Sequence, residues 1–242
     1  MKPVHYSRLH LMAKSPAHYK AAETYPREDT LSMRIGRLVH SLVLGGDYVV
    51  YDGTRRGKAW DAFVAENEKR DIVTASEFAT AEPVATAVKA NDNAMRLLTG
   101  DLEIRREWSV AGRAVAGRLD CLGAGFVTDL KTTTNAEPGW FARQAIRMGY
   151  HAQLAWYLDG AAFPTEARAF IVAVETTPPN VVTCFELSPR ALDMGRRTYR
   201  LWMERLLVCE ASDTWPGYVE SIIPLDSPED ETLLIDGEEI PL

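Results

Sequence analysis

Apolar residues recur at helical spacing over residues 6–21 and again over 31–44, where Leu31, Ile35, Leu38 and Leu42 share one face with Val39 and Val43 beside them. Gly45-Gly46 stops the second helix, because glycine accepts the left-handed conformation that ends one. Two more helices are predicted over about 57–69 and 76–98, the latter closed by Thr99-Gly100. The period then changes. Short β-rich runs at 103–111, 114–122 and 126–132, separated by glycine-containing turns, predict a three-stranded meander. Helical spacing returns over 137–160, with Pro138 near its start and a break at Gly149. Residues 167–175 are apolar enough for a fully buried strand. The turn Thr177-Pro178-Pro179-Asn180, a strand at 181–187 and a helix over 189–209 follow. This order predicts an α/β fold, a mixed central sheet flanked by helices. It divides the chain into a helical region over 1–100 integrated with a core over 101–209, and a tail over 210–242.

Composition narrows the class. A chain of 242 residues, 46% hydrophobic and 25% charged, builds a packed core rather than remaining disordered. No apolar run approaches the roughly 20 residues that span a bilayer, and the N-terminus lacks a signal peptide's apolar stretch. Cys121, Cys184 and Cys209 are far apart, and three thiols cannot all pair. A reduced, cytoplasmic protein with no membrane partner is the expectation.

The net charge of −7 does not exclude a polyanionic partner, because it is unevenly placed. Residues 210–242 hold ten acidic residues and no basic one, which leaves residues 1–209 at net +3. That tail reads as a solubilising, poorly ordered end, although Trp215, Tyr218, Ile222, Ile223, Leu233 and Leu234 leave a docking role open. Lys14, Lys20, Arg34 and Arg37 crowd the N-terminal helices, as a solvated basic face or a surface for nucleic acid.

The chemistry concentrates in Gly117-Arg118-Leu119-Asp120, a glycine turn, and Thr128-Asp129-Leu130-Lys131. In a hairpin centred near Ala124, Asp120 and Asp129 fall nearly opposite each other, and strand alternation puts Lys131 on the face of Asp129. Two carboxylates and an ammonium are costly to bury uncompensated, and a divalent cation compensates them. Oxygen ligands suit Mg²⁺ or Mn²⁺, with the Leu130 carbonyl as a further donor. The lysine then acts on an attacking water and on charge developing at a phosphate. The same residues also suit a surface hairpin with ordinary salt bridges.

Several further residues bear on that choice. Glu107 on the preceding strand could add a carboxylate, or simply be solvated. His40 lies one helical turn after Gly36, which lets another backbone approach that face. Gln153 and Tyr157 share a helix face and, beside Tyr150, could touch a phosphate or base.

The ordered set His40, Glu107, Gly117-Arg118-Leu119-Asp120, Asp129-Leu130-Lys131 and Gln153-x-x-x-Tyr157 resembles the PD-(D/E)xK nuclease superfamily. More narrowly it is similar to RecB-like nuclease domains and the RecE-type exonuclease VIII family, and Ser15-Pro16-Ala17-His18-Tyr19 and residues 36–44 strengthen that match. The resemblance implies a restriction-endonuclease-like core and Mg²⁺-dependent hydrolysis of DNA, with Mn²⁺ as a substitute. It implies degradation of one strand of linear duplex from its 5′ end by a ring-shaped homo-oligomer. A single-strand-annealing recombinase would take the 3′ strand, in a bacterial or phage-infected cell. On this basis His40, Glu107, Asp120, Asp129 and the Leu130 carbonyl would surround the metal and Lys131 would act on water. Gln153 and Tyr157 would brace the site, while Arg34, Arg37, Arg118 and Tyr150 would face DNA.

The sequence departs from the family pattern in having Gly-Arg-Leu-Asp in place of Pro-Asp, and Asp129 where many relatives carry Glu. The iron–sulfur cluster of some relatives needs four clustered cysteines, so none is expected here. Two other functions suit the same residues: a structure- or sequence-specific endonuclease on the same fold, and a non-catalytic DNA-binding scaffold for recombination.

Overall fold

The computed structural model describes residues 2–25, 28–163 and 166–225, together with the backbone of 232–235 and 238–241. The chain begins with β1 (Val4–His5), α1 (Tyr6–Leu9) and a 3-10 turn (His10–Ala13). Ser15 then caps α2 (Pro16–Ala21) by accepting the His18 N–H. The single helix expected over 6–21 is thus broken, because the residue before a proline avoids helical backbone and Ser15 is extended. Helix α3 (Leu31–Leu44) runs as the spacing predicts, from its Thr30 cap to Gly45 at φ 86°.

Next come β2 (Tyr48–Tyr51), α4 (Gly57–Glu66) and β3 (Asp71–Thr74), with β2 and β3 paired in parallel. The helical expectation for residues 1–100 missed both of these strands and β1. The helix expected over 76–98 is two: α5 (Ala75–Lys89), opened by a Thr74–Glu77 capping box, and α6 (Asp92–Leu97), capped by Asn91. The core follows as β4 (Asp101–Val110), β5 (Arg113–Gly123), β6 (Phe126–Thr133), α7 (Pro138–Arg147) and α8 (Tyr150–Ala161). It ends with β7 (Arg168–Glu175), β8 (Val182–Glu186) and α9 (Pro189–Ser212). The backbone of β9 (Thr232–Ile235) and β10 (Glu238–Pro241) forms an antiparallel pair.

A six-stranded mixed sheet organises the molecule. Strand β5 carries β4 along one edge; its other edge is shared by β1, at Val115 and Ala116, and β6, at 121–123. Between these two pairings, residues 117–120 have no strand partner on that edge. Strand β6 continues in parallel with β7, and β7 in antiparallel with β8. So β5 and β6 leave their tight turn together and then part, which opens the middle of the sheet.

The two faces bury separate cores. Helices α1, α2, α8 and α9 cover one, where Leu9, Met12, Phe141, Leu154, Trp156, Tyr199 and Met203 pack on Val115, Leu119 and Ile171. Helices α3, α5 and α6 cover the other, where Leu38, Val39, Val84 and Val88 meet Leu130, Val172 and Val174. On β5, Leu119 joins the first core and Cys121, two residues on, the second, so the alternation slips by one at Asp120. Helices α8 and α9 cross so closely that a Cβ on Gly195 would stand 2.3 Å from the His151 carbonyl oxygen.

Beyond α9 the chain folds back on α2. Trp215 stacks on Tyr19 with a 3° interplanar angle, Pro216 accepts the Ala17 N–H, and Tyr218 lies against His18. Farther on, Ile222 and Leu225 are each 99% exposed. Leu233 and Leu234 have side chains outside the described residues. No helix among the described residues is long and apolar enough to cross a membrane.

Candidate active site

The opening between β5 and β6 holds the chemistry. The two-residue turn Ala124-Gly125 pairs Gly123 with Phe126 and Cys121 with Thr128, so the next positions, Asp120 and Asp129, face each other as the strands part. With no ladder bond available there, Asp120 Oδ2 accepts the Leu130 N–H at 2.8 Å, and the carboxylate stands in for the missing strand. Asp129 is 2% exposed and ion-pairs with Lys131 two residues along β6. The oxygen that meets the ammonium, Oδ2, is fully buried.

Helix α3 closes the opening from the second face. Gly36 brings it against β6, where a Cβ would sit 3.2 Å from Thr132 Oγ1. One turn later His40 Nδ1 stands 3.6 Å from Asp120 Oδ2. On β4, Glu103 lies opposite Asp120 in register, between the pairs Leu102–Cys121 and Ile104–Leu119, with left-handed backbone at φ 55°. One ligand atom from each of His40, Glu103 and Asp120 lies within 4.8 Å of the others.

Glu107 is the correction to the expected set. It pairs with Ala116, exposed, four positions down β4 from Glu103, which at the strand rise is about 13 Å away. The Ala111-Gly112 turn fixes this register by pairing Val110 with Arg113, and counting back from it puts Glu103 across from Asp120. That count was available in the sequence, whereas the left-handed backbone at Glu103 was not.

The surrounding fields tell the charges apart. Burial pushes the Asp120 carboxyl up to about 6; Asp129 adds to the rise, while His40 and Lys131 oppose it. Burial alone would lower the Lys131 pKa, but Asp129 and Asp120 outweigh it and hold the ammonium above its ordinary value. Lys131 therefore stays charged, and its Nζ lies 4.8 Å from the centroid of the Tyr150 ring. Beneath, Gln153 Nε2 donates to the Tyr157 hydroxyl at 3.0 Å, and burial together with Asp129 raises the Tyr157 pKa. Gly117 makes room for this tyrosine: a Cβ there would stand 2.9 Å from its ring.

The site opens into a cleft of about 790 Å³ lined by His40, Glu103, Arg118, Asp120, Leu130, Lys131 and Tyr150, with Ser7 and Arg37 on its walls. Arg118 pairs with Glu103, and Arg37 with Asp29. Arg34 lies outside this lining; its guanidinium is committed to Glu77 and to the Asp29 carbonyl. Ser7, Glu103 and Tyr6, whose ring belongs to the core beneath the cleft, are the neighbours that the sequence motifs did not single out.

The donor set fits a divalent cation. One ligand atom each from His40, Glu103 and the buried Asp120 lies within 4.8 Å of the others, and the buried Asp129 adds a second negative charge close to Asp120 while pairing with Lys131. Oxygen donors with one imidazole suit Mg²⁺ or Mn²⁺. Cys121 and Cys209 are buried and Cys184 half-buried, all three as free thiols.

Comparison with known proteins places the fold. A candidate exonuclease from Eubacterium rectale superposes with a TM-score of 0.67 over 93% of this chain and 90% of its own, at 15% identity, which shows a shared fold. A phage-related exonuclease from Haemophilus somnus 129PT aligns over 86% of this chain and 96% of its own at 14% identity, with a TM-score of 0.38. No curated protein sequence matches the chain. The model of one family, described as a PDDEXK-like domain of unknown function (DUF3799), matches residues 5–227, and the chain belongs to that family within the PD-(D/E)xK superfamily.

Proposed function

We propose that the protein is a divalent-cation-dependent deoxyribonuclease, a RecE-like exonuclease that degrades one strand of linear duplex DNA 5′ to 3′ and leaves a 3′ single strand. The observation that carries this is the meeting of Asp120, Asp129, Lys131, His40 and Glu103 where β5 and β6 part, at the floor of an open cleft. His40, Glu103, Asp120 and Asp129 would hold Mg²⁺, or Mn²⁺ in its place. The Leu130 carbonyl is a further donor, because its N–H already points at Asp120 and a strand residue's N–H and C=O share an edge. When bound, the ion would polarise the phosphate and lower the pKa of water.

The chain's own residues supply the rest. Asp120 and Asp129 would give the negative charge that holds the ion. Asp129 also fixes the Lys131 ammonium, which would orient water and stabilise charge growing on the phosphate. Tyr150 packs on that ammonium and limits its wandering, and the Gln153–Tyr157 pair supports the floor. Arg37 and Arg118 on the cleft walls suit the DNA backbone. A ring-shaped assembly and delivery of the 3′ strand to a single-strand-annealing recombinase belong to the same proposal.

The test uses linear duplex labelled at either end beside a covalently closed circle, with Mg²⁺ and with EDTA. Mg²⁺-dependent loss of the 5′-labelled end with the circle intact is the expected result. Nicking of the circle would make the protein an endonuclease on this fold, and binding without cleavage would make it a scaffold.

A further inference from the structure

Tyr6 lies in the N-terminal segment, outside every motif that brought the catalytic residues together. Strand β1 pairs in parallel with β5 through Val4–Val115 and His5–Ala116, and Tyr6 follows at once as the first residue of α1. Its ring is buried against Trp156, Trp202 and His10, with centroids 6.0 to 6.3 Å away. Its hydroxyl donates to the Gly149 carbonyl at 2.5 Å.

That carbonyl is the first acceptor of α8. Gly149 has left-handed backbone, φ 75°, and its oxygen also receives the N–H groups of Ala152 and Gln153, each at 3.0 Å. No side chain caps this helix start. The next residue is Tyr150, whose ring meets the Lys131 ammonium, and one turn on Gln153 holds the Tyr157 hydroxyl. A Cβ on Gly149 would stand 2.8 Å from the Tyr6 hydroxyl, so the two residues fit only with glycine there.

We infer that Tyr6 is a positioning residue: its hydroxyl fixes the first turn of α8 through the Gly149 carbonyl and thereby sets Tyr150 and the Gln153–Tyr157 pair against Lys131. The inference rests on the nuclease function proposed above. Tyr6 itself is not among the residues that line the cleft. The alternative is that its ring merely fills the core, in which case the hydroxyl is dispensable. A catalytic ammonium whose orientation depends on a neighbouring ring is sensitive to displacements well below those that unfold a protein.

The experiment compares the full chain with Tyr6→Phe, Tyr150→Ala and the double variant, measuring hydrolysis of linear duplex DNA, melting temperature and amide exchange over residues 150–157. Tyr6→Phe is expected to lower kcat about tenfold with KM unchanged and only the small fall in melting temperature of one lost buried hydrogen bond, and to speed exchange of the α8 first turn. In the Tyr150→Ala background the same change should cost little more, because both act through one contact. Unchanged kcat, a loss that adds in full to that of Tyr150→Ala, or a loss matched by a larger fall in melting temperature would overturn the inference. Should the wild-type chain hydrolyse no DNA, the proposed function fails on its own. Exchange then decides the positioning: faster exchange in Tyr6→Phe supports it, and unchanged exchange overturns it.

Discussion

Glu103 and Glu107 are four residues apart on one strand, yet only one of them reaches the candidate metal site. The difference is register: the Ala111-Gly112 turn puts Glu103 across from Asp120 and Glu107 across from Ala116. Asp120, Asp129 and Lys131 were legible because a tight turn and strand alternation are both arithmetic. Gly36 and His40 were legible because one helical turn separates them. Glu103 was not legible from motif content, since its approach needs left-handed backbone that no local residue pattern announces. Tyr6 was not legible because its partner, Gly149, is 143 residues away. Glu103→Gln should therefore lower kcat/KM on DNA at least tenfold, a loss of about 1.4 kcal/mol of transition-state stabilisation, while Glu107→Gln stays within twofold. Steady-state rates at several Mg²⁺ concentrations check this, and the Glu103 variant should need more Mg²⁺ to reach its maximum.

At the scale of elements, the long apolar patterns predicted well and the short ones did not. Helix α3 and strands β5 to β7 fall close to their expected spans, because their periodicity runs through two or more turns or pleats. Of the missed strands, β2 and β3 are four residues each and depend on each other across 19 residues of intervening chain. Polar caps broke two expected helices: Ser15 before Pro16 and Asn91 before Asp92 each accept a backbone N–H that a continuous helix would have used.

One polar knot ties β3, α3 and α5 together. Glu77, buried at the start of α5, receives Arg34 from α3 and Arg55 at 2.6 Å each, along with the Thr74 N–H at 2.8 Å. Burial alone would push its carboxyl up, but these donors outweigh it and hold the pKa below the ordinary value. A depressed carboxylate stabilises the fold above the unfolded pKa, and that stabilisation is lost as pH falls through the lower folded value. Glu77→Gln should thus cost about 3 kcal/mol near neutral pH, as for one partner removed from a buried ion pair. Denaturant unfolding at a series of pH values should show the gap between variant and wild type shrinking below about pH 4, near the unfolded carboxylate range.

For the whole molecule, the order of elements was enough to predict a mixed sheet between helices, and the parting of β5 and β6 is what turns that sheet into a site. The N-terminal segment enters the gap through β1 and Tyr6, α3 covers it from the far face, and α8 supports it from beneath. Three regions distant in sequence therefore converge on one carboxylate pair. Acidic residues gather beyond α9, while in the cleft Arg37, Arg118 and Lys131 alternate with Asp71, Glu103 and Asp120.

The most direct test is Mg²⁺-dependent hydrolysis of linear duplex DNA by the wild-type chain and by Asp120→Asn, which keeps the side chain's shape and its acceptor for the Leu130 N–H. With melting temperatures matched, the wild type should cleave with Mg²⁺ and stop with EDTA. The variant should be slower by at least about 100-fold, the scale on which single electrostatic contributors to catalysis act. Equal rates for the two proteins, or wild-type cleavage that survives EDTA, would contradict a metal-dependent nuclease centred on Asp120.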